Sequence, residues 1–138
     1  MKKLTIIILS LVCTNVMAAW TKLESTHDAR VTVYADIGKI RNRGMMSKVK
    51  MRHLLNFQNK EITSSGRAYQ SRKELVEYDC DKEHYRVLAS SQHTGIMGSG
   101  KVVSFTSYTK QWQPVETNTL EEKLWKVACD KQSITQHD

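Results

Sequence analysis

The longest uninterrupted alternation in the chain runs from Met46 to Phe57. Val49, Met51, His53, Leu55 and Phe57 fall on one side, and Lys48, Lys50 and Arg52 on the other. Successive side chains of an extended strand point to opposite faces, so this text reads as a twelve-residue strand with one buried face and one basic, solvent-facing side. A strand of that kind needs neighbours to pair with and a layer to cover its apolar face.

The neighbours are legible. Val31, Val33 and Ala35 alternate with Thr32, Tyr34 and Asp36, and Ile37 to Arg43 reads as a linking turn closed by Gly44. Asn59 to Gly66 is polar and turn-like, and Tyr69 to Cys80 reads as a third strand. The segment Asp79-Cys80-Asp81-Lys82 then turns into a fourth strand from Tyr85 to His93, with Tyr85, Val87 and Ala89 on one face. Gly95 to Gly100 connects to a fifth strand, Lys101 to Tyr108, and Pro114 limits a sixth, around Trp112 to Val115, to an edge. After Thr119 the period changes. Thr119 and Glu122 have capping-box spacing, and Leu120, Leu124, Val127 and Ala128 follow at helical intervals, with Trp125 and Cys129 one turn apart. The expected architecture is α+β: an antiparallel β-sheet of about five to six strands with one C-terminal α-helix packed on it, and a frayed tail from Ser133.

The chain has 138 residues, which is one domain at most. Residues 1–18 read as a secretory signal peptide: Lys2 and Lys3, an apolar run from Leu4 to Cys13, and Val16-Met17-Ala18 before the cut. Residues 19–138 are then the single mature domain. The apolar run is shorter than the roughly 20 residues a spanning helix needs, so no transmembrane anchor is expected after cleavage. Val12 stands where a lipobox wants a small residue, so Cys13 leaves with the signal and lipid anchoring is not expected. Export through the Sec pathway puts the domain in the periplasm, in the medium or at the cell surface. There Cys80 and Cys129, the two cysteines left, should form one disulfide.

Candidate chemistry is sparse. A phosphate loop at Gly95 to Gly100 would need a helix behind it, and a strand follows instead. The histidines at 27, 53, 84, 93 and 137 lack partners at metal-ligand or catalytic spacing, and no nucleophile elbow is present. The chain therefore reads as no enzyme and as needing no cofactor or metal. The feature with binding potential is the ladder Lys48, Lys50 and Arg52, repeating at about 6–7 Å, with Lys39, Arg41 and Arg43 just upstream. Such a row suits an acidic protein segment, a sulfated glycan or envelope phosphate, and it equally suits a solvated sheet face that discourages edge pairing. Nucleic acid is not expected, because export removes it and no aromatics interleave the basic positions. The formal charge of +7 includes Lys2 and Lys3, so the mature domain keeps 19 basic against 14 acidic residues, a balance of +5.

Several segments together carry a family likeness. Tyr34-Ala35-Asp36 with Ile40-Arg41, the strand from Val49 to Phe57, Glu77-Tyr78-Asp79-Cys80 with Tyr85-Arg86-Val87-Leu88, Gly95 to Val103, Trp112-Gln113-Pro114 and Leu124-Trp125-Lys126-Val127-Ala128-Cys129 stand in an order that resembles the surface-adhesin protein E family. The resemblance implies a small exported bacterial domain whose antiparallel sheet and C-terminal helix are joined by a disulfide. It also implies a non-catalytic binding role, such as adhesion to host matrix or plasma proteins, and is compatible with a homodimer. The alternative from a different class is a periplasmic structural or inhibitory protein acting on one bacterial envelope partner. No binding residues of the family map onto this chain, so the basic ladder comes from the residues alone.

Overall fold

The computed structural model describes residues 20–25, 30–42 and 47–135. One antiparallel sheet organises them. Its strands are β1 (Thr21–Ser25), β2 (Val31–Ala35), β3 (Arg41–Asn42), β4 (Lys48–Ile62), β5 (Ala68–Asp79), β6 (His84–His93), β7 (Val102–Thr106) and β8 (Gln113–Pro114). The main path runs β1-β2-β4-β5-β6-β7, with β3 paired to β4 and β8 to β6. The helix α1, Leu120–Thr135, closes the chain. The α+β architecture anticipated from the alternation is present, and the six strands of the main path agree with its strand count.

Several details depart from the sequence expectation. Arg41–Asn42, inside the segment read as a linking turn, forms the short strand β3, and α1 runs to Thr135, past the expected start of a frayed tail at Ser133. β1 was not legible as a strand, because Thr21 to Ser25 is too short and too polar to show a period. β4 runs on to Ile62, five residues past Phe57, and Thr63 to Arg67 alone makes the turn, with the Gly66 N–H donating to the Thr63 carbonyl at 2.9 Å. In β6, Val87 pairs with Val76 and Ala89 with Leu75, so Leu88 is an extra residue. That β-bulge takes Ala89 off the face that Tyr85 and Val87 share.

The core sits between one face of the sheet and α1. Val33, Ala35, Val49, Met51, Val76 and Tyr78 are buried there beneath Leu124 and Ala128. The helix begins with one half of the expected capping box: the Glu122 N–H donates to Thr119 Oγ1 at 3.2 Å, while Glu122 Oε2 accepts at 2.7 Å from the N–H of Asn118, the residue before the cap. Two links pin its flank to the end of β5. Cys80 and Cys129 form a disulfide with Cα atoms 5.7 Å apart, inside the range such bridges span. One helical turn earlier, Trp125 Nε1 donates to the Asp79 carbonyl at 3.0 Å.

Among the described residues, no α-helix covers the opposite, outer face of the sheet. At one end the 94–100 loop folds over it. Ser71 Oγ donates to the Gly95 carbonyl at 2.5 Å and accepts from the Gly98 N–H at 2.9 Å, and the Met97 N–H donates to Asn56 Oδ1 at 2.8 Å. Gly98, at φ +69, presses its backbone onto the stem of Lys73, where any Cβ would collide. Only glycine adopts this backbone and this approach without cost.

Candidate functional site

The outer face is built by the same alternation that builds the core. Val49 and Met51 point inward and are buried, so Lys48, Lys50 and Arg52 project outward. The register then decides what surrounds each cation. Lys48 stands opposite Asp79, Lys50 opposite Glu77 and Arg52 opposite Leu75. Glu77 in turn faces Arg86 on β6, whose Nη2 donates to both carboxylate oxygens at 3.4 Å. Trp112, just before β8, lies against this row. The Arg86 guanidinium carbon is 4.4 Å from its ring centroid and Lys48 Nζ is 5.5 Å from it, both within cation–π range.

The ladder is therefore graded. Its Lys48 end is steadied by an aromatic ring, its middle is partly balanced by the buried Glu77 carboxylate, and its Arg52 end is exposed with no ion pair among the described residues. Arg86 joins Lys48, Lys50 and Arg52 as a fourth cation of the face. Arg86 and Trp112 escaped the sequence reading because only the β5–β6 and β6–β8 pairings bring them beside β4. Arg41 enters β3, whose backbone pairs it with Lys50. Arg43 lies outside the described residues.

The histidines are not gathered into one site. His27 and His137 lie outside the described residues. His53 is opposite Glu74, His84 opposite Asp79 and His93 opposite Ser71, so the three occupy separate rows of the sheet. His53 is buried in the core, where its Nε2 is hydrogen-bonded to Tyr78 Oη at 2.8 Å, and burial lowers its pKa to about 3. Burial also raises Tyr78 well above the ordinary tyrosine range, so at neutral pH the pair is an uncharged hydrogen bond. His84 bonds the Lys82 carbonyl and His93 bonds Ser91 Oγ at 2.8 Å. No cluster of three or more His, Cys, Asp or Glu residues that could hold a metal occurs among the described residues. None of their helices is long and apolar enough to cross a membrane.

A single antiparallel sheet with one face covered by a disulfide-anchored C-terminal helix defines a class of small α+β domain. The chain belongs to the surface-adhesin protein E family, whose sequence profile matches residues 20–130. Solved structures agree on the fold. Protein E of Haemophilus influenzae is similar at a TM-score of 0.63 and 12% identity, over 80% of this chain and 84% of that one. A second crystal form of the same protein gives a TM-score of 0.66 at 12% identity, covering 81% and 89%. Protein E from non-typeable Haemophilus influenzae gives 0.65 at 14% identity, covering 88% and 82%. No curated protein sequence matches the chain. Family and fold together make this an adhesin-like binding protein.

Proposed function

We propose that the chain is an exported, non-catalytic binding module, with residues 1–18 as its signal peptide and 19–138 as the mature domain. Its ligand is an acidic segment of a host protein or an anionic glycan held on the outer sheet face. The observation that carries this reading is the graded cationic row of Lys48, Lys50, Arg52 and Arg86 beside Trp112, on a face the helix leaves open. Cations spaced at strand intervals match anionic groups repeated along an extended polymer, and the ring adds a surface for apolar parts of a ligand. Because Arg86 is occupied by Glu77, the free charge of the row comes from Lys48, Lys50 and Arg52.

The test is retention on immobilised heparin and solid-phase binding to matrix proteins. Replacing Lys48, Lys50 and Arg52 together by Ala should lower the salt needed for elution and weaken solid-phase binding. Unchanged elution and unchanged binding would remove the row as the site.

A further inference from the structure

The outer face also holds a groove that the cationic row only borders. Two adjacent cross-strand rows form it. Arg52 pairs with Leu75, which pairs with Ala89, and two residues along, Lys73 pairs with Ser91, which pairs with Phe105 on β7. Period-2 geometry puts all of these on one side of the sheet. The bulge at Leu88 is what places Ala89 there, opposite Leu75, rather than in the core. Leu75 and Ala89 make an apolar floor, and Trp20 and Phe105 flank it across the sheet. The open groove has a volume of about 350 Å³, at the small end of the range for small-molecule sites.

The charge at the rim is one-sided. Arg52 and Lys73 both line the groove, and among the described residues neither makes an ion pair. The one carboxylate residue of the lining, Glu74, is engaged by Arg72 Nε at 2.8 Å. Lys73 packs beneath the 94–100 loop with its terminal carbons and ammonium group next to Gly98, which limits the positions it takes. A cation restricted before a ligand arrives loses less freedom when it binds one. Phe105 is 67% exposed, an aromatic side chain left in water at the edge of an apolar floor. A flat apolar floor, two aromatic flanks and two unpaired cations complement one ligand chemistry.

We infer that this groove binds a free small amphipathic anion: an aromatic or aliphatic body laid on Leu75 and Ala89 between Trp20 and Phe105, with its carboxylate, sulfate or sulfonate on Lys73 and Arg52. The site goes beyond surface adhesion and takes a small molecule, not a polymer.

The experiment uses the mature protein and two fluorescent probes of similar shape, anionic 1-anilinonaphthalene-8-sulfonate and neutral N-phenyl-1-naphthylamine. The anion should bind saturably at one per chain. Lys73→Met, which keeps the stem beneath Gly98 and removes the charge, should weaken the anion about tenfold, as expected for one charge-assisted contact, and leave the neutral probe unchanged. Phe105→Ala removes an exposed ring, so folding should survive by circular dichroism, and it should weaken both probes while leaving heparin retention as in the wild type. That last arm separates this site from the polymer-binding row. Anion binding that is non-saturable, or equally tight in wild type, Lys73→Met and Phe105→Ala, would overturn the proposal. So would a loss of neutral-probe binding in Lys73→Met that matches the loss for the anion.

Discussion

At the scale of single residues, the core contains one titratable pair whose state is set by burial. His53 shares a hydrogen bond with the Tyr78 hydroxyl and is held neutral, its pKa lowered by burial to about 3 from an unfolded value of 6.5. A base with a depressed native pKa stabilises the fold fully above the unfolded pKa, and that contribution is lost as pH falls toward the native value. Between about pH 6.5 and pH 3 the unfolded chain therefore binds the proton that the native state refuses. Each pH unit in that window should cost up to about 1.4 kcal/mol of stability for one such group. His93, also lowered by burial and by Lys73, adds a contribution of the same sign. Urea unfolding at steps from pH 7 to pH 4 should show this loss. His53→Gln, which keeps a hydrogen-bonding group for Tyr78 but cannot titrate, should flatten the slope by the His53 share, and an unchanged slope would contradict the assignment. Sequence reading placed His53 on the apolar side of its strand but could not foresee the hydroxyl that Tyr78 brings from 25 residues away.

At the scale of elements, α1 depends on its anchor. Its buried stripe is narrow, with Leu124 and Ala128 the two helix residues in the core cluster and Leu120 and Val127 packed only partly. A helix with so little buried surface is held as much by its tethers as by its packing, and here the tethers are the Cys80–Cys129 bridge and the Trp125 hydrogen bond to the Asp79 carbonyl. The bridge spans 49 positions of sequence. For a loop of that size the chain-entropy model gives roughly 4 kcal/mol of stabilisation. Replacing both cysteines by Ala should lower the urea midpoint by a corresponding amount, and α1 should show the earliest loss of amide-exchange protection. A double variant as stable as the wild type would mean that packing alone holds the helix. The cap residue, the helix period and the cysteine pairing were all readable beforehand because each is local or, for the pairing, has one solution. β1 and the bulge at Leu88 were not readable, since a short edge strand and a one-residue insertion exist only relative to the partner strand.

At the scale of the whole molecule, the question is whether excess charge or its placement governs binding. Screening shortens the reach of surface charges from about 10 Å at 0.1 M salt to about 3 Å at 1 M, so clustered cations outlast scattered ones as salt rises. Lys60, Arg67 and Lys101 are exposed cations away from the row, the first two near the turn at the far end of β4 and β5. Replacing these three by Ala removes the same charge as the Lys48, Lys50 and Arg52 triple variant. Heparin elution should move far less in this control. Equal shifts in the two triple variants would mean that net charge, not the outer face, sets the affinity.

Local regularities were enough to determine the longer strands from Val31 onward, the helix and its cap residue, the basic side of β4 and the pairing of Cys80 with Cys129, because hydrophobic period, capping chemistry and cysteine number act within a segment or leave one choice. The tertiary structure alone decided that Arg86 and Trp112 join Lys48 on the outer face, that Glu77 balances the middle of the row, and that Lys73 lies beside an apolar floor of Leu75 and Ala89. Those neighbours come from three different strands and the segment before β8, and cross-strand register is a property of the assembled sheet that no single segment encodes.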